Sequence, residues 1–211
     1  MRIVFATGNK DKMREIRQIL GGLDAEILSM KEAGVFEDVV EDGNTFSENA
    51  RIKADAIYEL LLQKEPDEAA NTVVLADDSG LEIDYLGGEP GIYSARYLGK
   101  DTPYSEKNRI ILERLEGVKD EDRSARFVCA IAATLPEGKK LDALGKMEGR
   151  IAYSIAGENG FGYDPIFFLP EYGKTSAEIS GEEKNAISHR GRATRQLARF
   201  LHSQDNTQDN N

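Results

Sequence analysis

The stretch LADDSGLEI, residues 75–83, places two adjacent carboxylates, Asp77 and Asp78, directly after an apolar run. Residues 72–76 before the aspartates and residues 81–86 after them have the composition of strands, so the pattern predicts a turn at Asp-Asp-Ser-Gly. Adjacent carboxylates at the end of a strand repel each other unless a cation neutralises them. Two interpretations stay open, a Mg²⁺ site built on oxygen ligands and a solvent-exposed turn.

Helices and strands are mixed on both sides of this stretch. Residues 2–7 predict a strand, and residues 12–20 carry apolar side chains at helical spacing. The pattern Thr-Phe-Ser-Glu at residues 45–48 is a capping box, which predicts the start of a long helix. Further predicted elements are helices at residues 105–116 and 192–202 and a hairpin of two long strands at residues 126–135 and 141–155. This mixture indicates an α/β fold around a mixed sheet.

Composition excludes several classes of protein. The longest apolar runs fall short of the roughly 20 residues that a membrane-spanning helix needs, and the N-terminal run is too short for a secretory signal. A single cysteine, Cys129, excludes an internal disulfide. Together these features predict a cytoplasmic protein of one domain, residues 1–202, followed by a polar, disordered tail, residues 203–211.

The chain is acidic, with 27 Lys and Arg residues against 38 Asp and Glu residues and a formal charge of −11. Such a charge opposes binding to a nucleic-acid polymer, which needs a basic surface. It is compatible with a small anionic ligand, because a local group of basic side chains and backbone N–H groups can bind phosphate. Glu41, in the acidic loop VVEDGN, is by itself typical of solvated surface charge.

A candidate phosphate site lies at residues 6–12, ATGNKDK, where the first strand leads into a helix. Backbone N–H groups and the positive end of the dipole at a helix N-terminus favour an anion, and Lys10 and Lys12 add charge. The alternative is an ordinary turn with solvated lysines. Lys53 follows Asn49 by one helical turn beside an apolar stripe, so it can either reach a phosphate or extend to water.

Two later segments could contact a planar base and its sugar. GFGYDPIFF, residues 160–168, sets Phe161 and Tyr163 among glycines, where an aromatic ring can stack on a base or close the edge of a core. EEKNAISHRGRA, residues 182–193, groups hydrogen-bond donors that suit carbonyl or phosphate oxygens. A lone histidine is more often structural than catalytic, and zinc-ligand spacing is missing from the sequence.

Together and in this order, the motifs ATGNKDK, TFSENARIKA, ADDSGLEIDYLGGEPGIYSARY, GFGYDPIFF and EEKNAISHRGRA closely resemble the inosine triphosphate pyrophosphatase family, the XTP/dITP diphosphatases. The resemblance covers residues 2–202. It implies a mixed, curved central sheet with flanking helices, two lobes around a deep cleft, and a homodimer. The implied activity is Mg²⁺-dependent hydrolysis of XTP, ITP and dITP to the monophosphate and pyrophosphate, which removes deaminated purine nucleotides.

The resemblance also implies roles for single residues. Asp78 would be the general base and, with Glu41, a Mg²⁺ ligand, while Asp77 would bind the metal or support Asp78. The triphosphate would be held by Thr7, Gly8, Asn9, Lys10, Lys12 and Lys53. The sugar and base would be surrounded by Ser79, Phe161, Gly162, Tyr163, Asp164, Lys184, His189 and Arg190. The donors of His189 and Arg190 would favour the six-position carbonyl of hypoxanthine and xanthine over the amino group of adenine.

Three rival interpretations remain at this point. A related pyrophosphatase could act on other substrates, such as modified pyrimidine triphosphates. A non-catalytic nucleotide sensor would bind without turnover, but the presence of both Glu41 and Asp78 argues against it, because a pure binder needs no general base. An acidic interaction protein would require five coincidental motifs.

Overall fold

The computed structural model describes the backbone of residues 1–208 and the side chains of residues 1–201. Within this range the strands are β1 (Arg2–Phe5), β2 (Glu26–Ser29), β3 (Thr72–Ile83), β4 (Ser124–Thr134), β5 (Lys140–Ile151), β6 (Phe167–Leu169) and β7 (Lys174–Thr175). They form one sheet in the order β2-β1-β3-β4-β5-β6-β7. Strand β1 pairs in parallel with β2 and β3, whereas β6 pairs antiparallel with β5 and β7. The predicted mixed α/β sheet is confirmed.

The helices flank this sheet, and several begin where the sequence supplies a capping side chain. They are α1 (Lys10–Ile19), α2 (Phe46–Lys64), α3 (Pro66–Ala69), α4 (Tyr104–Arg114), α5 (Gly181–Ile187) and α6 (His189–Gln208). The Thr45 hydroxyl accepts a hydrogen bond from the Glu48 N–H at 3.1 Å, so α2 begins where its sequence pattern predicts. None of the helices in the described part of the chain is long and apolar enough to cross a membrane.

The chain divides into two compact units. The first unit comprises Met1–Asp78, Cys129–Gly145 and the described part of Arg190–Asn211, and the second comprises Ser79–Val128 and Lys146–His189. Each has its own apolar core. In the first, residues of β1, β3 and β4 pack against α1 and α6; in the second, residues of β3 to β6 pack against α4. The single two-lobed domain with a deep cleft stays a prediction.

The predicted turn at Asp-Asp-Ser-Gly is wrong, because β3 continues through it from Thr72 to Ile83. Asp, Ser and Gly favour turns, and pairing with β1 ends at Leu75, but β3 has β4 as its other neighbour in the sheet, and pairing with a neighbouring strand stabilises an extended backbone. The polar residues can remain in the strand because their side chains find partners. Asp77 is buried there beside two basic side chains.

The last helix also differs from the prediction. Helix α6 begins at His189 rather than at residue 192, and its backbone continues to Gln208. The predicted tail, residues 203–211, ends outside the described residues, so its disorder stays a prediction. Strand β2 and the short helix α3 are further elements that the sequence analysis did not identify.

Candidate active site

The two adjacent aspartates of β3 have different surroundings, because successive side chains of a strand point to opposite faces of the sheet. Val73 and Leu75 belong to the core that β3 forms with α1 and α6. Asp77 is the next residue on that face, and its partners come from these same two helices. Asp78 faces the other way, and its partner comes from α2. Adjacency in the sequence therefore does not give the carboxylates a shared environment.

Asp77 is buried in the first unit, where its carboxylate is paired with two basic side chains. Lys12 Nζ donates to Oδ1 at 3.0 Å, and Arg190 donates to Oδ2 through Nε at 3.2 Å and Nη2 at 3.0 Å. Arg190, itself buried, also donates to Glu15 Oε2 at 2.5 Å. Burial alone would raise the pKa of Asp77, but the charges of Lys12, Arg190 and Lys53 outweigh burial and hold this pKa well below its usual value. The surroundings of Asp77 therefore favour its ionised form.

Asp78 is only partly buried and has the opposite shift. Burial, the main cause, together with the charges of Glu41 and Asp77 raises its pKa to about 6, although a hydrogen bond from Asn49 and the charge of Lys12 lower it. Asn49 Nδ2 donates that hydrogen bond to Oδ2 at 3.0 Å. A carboxylate with a pKa near 6 is ionised at neutral pH yet accepts a proton more readily than an ordinary aspartate.

The predicted phosphate segment lies at the start of α1. The Asn9 side chain caps the helix, accepting hydrogen bonds from the N–H groups of Asp11 at 2.8 Å and Lys12 at 3.1 Å. Thr7 Oγ1 accepts from the Asn9 N–H at 3.1 Å. The residues Gly8, Asn9 and Lys10 are exposed, and a Cβ added at Gly8 would meet no atom within 4 Å. The backbone beside Gly8 is thus open to a ligand.

Glu41 and Lys53 form an ion pair next to this region of the first unit. Lys53 Nζ lies 2.6 Å from Glu41 Oε1, with both side chains partly buried. Lys53 is on α2, and Glu41 lies in the loop before it. Among the described residues, groups of three or more His, Cys, Asp or Glu side chains that could together hold a metal are not found. A metal here would rest on the two carboxylates of Glu41 and Asp78, with water and substrate oxygens as further ligands.

The predicted sugar and base residues, except Arg190, lie in the second unit. Asp164 is buried and accepts hydrogen bonds from the Phe161 N–H at 2.8 Å, from Ser176 Oγ at 2.7 Å and from Lys184 Nζ at 2.5 Å. Lys184 Nζ also lies 4.9 Å from the centre of the Phe161 ring. This network fixes the glycine-rich loop that carries Phe161, whose own side chain is partly exposed.

The other residues of this group are placed as follows. Tyr163 is buried, and its hydroxyl donates to the Ser94 carbonyl at 2.8 Å, so it anchors the loop. The His189 ring stacks on Phe127, with centroids 4.9 Å apart and planes within 14°. Gly162 and Ser79 are partly buried. The structure brings the predicted phosphate and metal residues together in the first unit and most of the predicted base residues together in the second.

Sequence reasoning missed three residues that hold site side chains. Asn49 was noted for its spacing to Lys53 but was given no role. Glu15 and Ser176 carried no recognisable signal, because Glu15 is one charged residue in a highly charged helix and Ser176 follows a two-residue strand. Arg190 is 175 positions from Glu15, and Asp164 is 12 positions from Ser176 across a turn and two short strands, so only the folded chain shows these pairings.

Comparison with known proteins gives consistent matches. A family model described as the Ham1 family matches residues 3–200. A "dITP/XTP pyrophosphatase" of Clostridium perfringens is 50% identical over 196 residues, which cover 93% of this chain and 95% of that protein. The Ham1 protein of Staphylococcus aureus has a solved structure with a TM-score of 0.82 and 40% identity, covering 97% of this chain and 100% of that one. For a HAM1 protein of Coxiella burnetii the TM-score is 0.80 and the identity 42%, with coverage of 96% and 99%.

Proposed function

Because this chain belongs to the Ham1 family, we propose that it is a nucleoside triphosphate pyrophosphatase for non-standard purine nucleotides. The proposed reaction converts XTP, ITP or dITP and water to the nucleoside monophosphate and pyrophosphate. The name of the Clostridium perfringens relative, a dITP/XTP pyrophosphatase, supports this substrate class. A house-cleaning role follows, because the reaction would remove deaminated purines from the nucleotide pool.

The observation that carries the proposal is the raised pKa of the Asp78 carboxyl group, together with the hydrogen bond that holds it. Burial raises the pKa of this carboxyl to about 6 while Asn49 holds one of its oxygens. A general base works best when its pKa lies near the working pH, because it is then mostly ionised and still accepts a proton. Asp78 would take the proton of the water that attacks the α-phosphorus. The bond between this phosphorus and the oxygen that bridges to the β-phosphorus would break, releasing pyrophosphate.

The chemistry of the donor set fits Mg²⁺. This ion prefers oxygen ligands and is commonly bound through one or two carboxylates together with substrate phosphates and water. Glu41 and Asp78 would provide the carboxylates; Glu41 is near enough to raise the pKa of Asp78 by its charge. When bound, Mg²⁺ would offset the negative charge that grows on the phosphate oxygens. Both oxygens of Asp77 already accept hydrogen bonds from Lys12 and Arg190, so we assign Asp77 to support of the site.

The triphosphate would bind at the N-terminus of α1. Exposed backbone at Gly8, the positive end of the helix dipole and the side chain of Lys10 favour an anion. Lys12 and Lys53 each hold one carboxylate, and an ammonium group has three N–H donors, so each can bond a phosphate oxygen as well. Their positive charge would stabilise the leaving pyrophosphate, as positioning and electrostatics dominate phosphoryl transfer.

Base selectivity would come from donors that fit a six-position carbonyl. His189 is held by stacking on Phe127, and Phe161 is held near Lys184, so both rings have fixed orientations. The guanidinium of Arg190 is buried and bound to Asp77 and Glu15, so its part in base selectivity stays a prediction. Adenine would present an amino group to such donors and leave buried groups unpaired, a mismatch that discriminates strongly.

Incubation of the protein with Mg²⁺ and, separately, XTP, dITP, GTP, ATP and dTTP tests the proposal. We expect pyrophosphate and monophosphate from XTP and dITP, formed much faster than from GTP or ATP. Release of orthophosphate would contradict cleavage between the α- and β-phosphates. Preference for pyrimidine triphosphates would redirect the substrate class, and binding without turnover would make the protein a sensor.

A homodimer and a cytoplasmic location belong to the same proposal. The molecular mass of the protein in solution tests the homodimer.

A further inference from the structure

Asn49 is a buried polar side chain that contacts two parts of the proposed site. It lies in the first turns of α2 with 1% of its surface exposed. Its Nδ2 donates to Asp78 Oδ2 at 3.0 Å, and its Oδ1 accepts from the Gly43 N–H at 2.8 Å. One amide group therefore joins β3 to the acidic loop that precedes α2.

The chemistry of the two partners fixes the orientation of this amide. The Gly43 N–H can only donate, so it requires the amide oxygen, and the amide nitrogen must then face the Asp78 carboxylate. Among side chains of this length in their usual ionisation states at neutral pH, only asparagine offers a donor and an acceptor on separate atoms. An ionised aspartate would only accept, leucine would do neither, and glutamine is longer by one methylene group.

The acidic loop is packed against α2 at the same point. A Cβ added at Gly43 would lie 2.7 Å from Glu48 Cβ and 2.8 Å from Asn49 Oδ1, so the loop can approach the helix this closely only with glycine at that position. Glu48 Oε2 accepts from the Asn44 N–H at 2.7 Å. Two residues before Gly43 is Glu41, whose carboxylate is paired with Lys53, one turn of α2 beyond Asn49.

We propose that Asn49 is a positioning residue that sets the Asp78 carboxylate and the loop carrying Glu41 in one fixed arrangement. The donor end fixes the rotation of the carboxyl group that accepts the proton. The acceptor end fixes the loop whose carboxylate would share the cation. The inference rests on the proposed function and adds to it the residue that fixes the Asp78 and Glu41 carboxylates relative to each other.

Two variants of Asn49 distinguish the role of its amide nitrogen from that of its amide oxygen. Asn49→Leu removes both hydrogen bonds at similar volume, whereas Asn49→Asp keeps an acceptor for Gly43 but puts an anion against Asp78. For both we expect kcat for dITP to fall by about 10- to 100-fold, the usual effect of losing a group that orients a metal ligand. We expect KM to change by less than about threefold, because the lost interaction serves the reacting groups rather than binding. The Mg²⁺ concentration for half-maximal activity should rise in Asn49→Leu.

Hydrogen exchange of the Gly43 amide, measured by NMR without nucleotide or metal, gives an independent readout. Protection should persist in Asn49→Asp and fall by about tenfold in Asn49→Leu, as expected for the loss of one hydrogen bond. Ile57→Val is the matched control, because Ile57 is buried on the same helix and contributes to stability without contacting Gly43 or Asp78 in any hydrogen bond. It should leave kcat, the Mg²⁺ requirement and Gly43 exchange unchanged.

The results decide the inference in either direction. Wild-type kcat in a folded Asn49→Leu protein, or unchanged Gly43 exchange in that variant, would overturn it. Equal losses in Asn49→Leu and Ile57→Val would show a general effect of stability and would also overturn it. If Asn49→Leu does not fold, the kcat and KM of Asn49→Asp carry the decision. If the wild-type protein hydrolyses none of XTP, ITP and dITP, the proposed function fails. Gly43 exchange and the affinity for Mn²⁺, used in place of Mg²⁺ and measured without nucleotide, still test Asn49.

Discussion

Replacing Asp78 by asparagine should abolish turnover and stabilise the metal-free protein. Burial raises the pKa of Asp78 from 3.8 to about 6. That difference is about 2 units, and each unit corresponds to about 1.4 kcal/mol. The ionised group therefore destabilises the folded protein by up to about 3 kcal/mol, and solvent screening of a partly exposed side chain reduces this to about 1–3 kcal/mol. Asparagine has nearly the same shape, carries no charge and can still accept the hydrogen bond from Asn49.

The pH dependence follows from the sign of the shift. Because the pKa is higher in the folded state than in the unfolded state, the folded protein binds more protons and loses stability as the pH rises from about 4 to about 6. The advantage of Asp78→Asn should therefore be absent below about pH 4 and complete above about pH 6. Urea unfolding in EDTA at pH 4 and pH 7.5 measures it, with activity assayed in parallel.

Asp77→Asn is the matched comparison on the neighbouring residue. The charges of Lys12 and Arg190 hold the pKa of Asp77 well below its usual value despite burial, so its ionised form stabilises the folded protein at all pH values above its unfolded pKa. Asparagine there would leave the buried Arg190 guanidinium short of an anion, a change that typically costs about 3–5 kcal/mol. The same substitution on adjacent residues should thus have opposite effects. A loss of stability in Asp78→Asn, or a gain that does not depend on pH, would refute the assignment of environments.

Three further predictions concern other parts of the molecule. Burial raises the pKa of the Cys129 thiol far above its usual value. This thiol should therefore not react with a thiol reagent at pH 8 until urea unfolds the protein, and rapid reaction in the folded state would contradict its burial. His189→Ala should lower the ratio of ITP to ATP turnover, and an unchanged ratio would place the discrimination elsewhere. Gly160→Ala should destabilise the protein by more than about 1 kcal/mol in thermal unfolding. Gly160 has a φ of +73°, and an added Cβ would lie 2.1 Å from Asp164 Oδ2. A Tm equal to that of the wild-type protein would show that the loop adapts.

The helix that carries Lys53 was predictable because its signals are local. The Thr45 side chain caps the helix by accepting from the Glu48 N–H, and the apolar spacing that follows has a helical period. The path of β3 was not predictable in the same way. Asp, Ser and Gly favour turns in isolation, but in the folded chain β4 neighbours β3 in the sheet and Asp77 has basic partners, and both favour an extended strand.

The candidate site shows the same difference between local signals in the sequence and contacts made only in the folded chain. The ordered motifs predict which residues belong to the site, but they do not predict which residues bond to each other. Asp77 and Asp78 are neighbours in the sequence, yet the alternation of strand side chains gives one of them two cations and the other an amide. Because the turn prediction hid this alternation, the opposite pKa shifts could not be derived before the strand was seen.

The pairing of Arg190 with Asp77 has a consequence for how the protein is made. These residues are 113 positions apart, and the arginine also reaches Glu15, 175 positions before it. At a translation rate of about 5–20 residues per second, Arg190 follows Asp77 by about 6–20 s. During that interval the nascent chain holds Asp77 with Lys12 but without Arg190, its second basic partner. The last helix also contributes Ala193, Leu197 and Leu201 to the core of the first unit, so this unit can complete its folding only after that helix has left the ribosome.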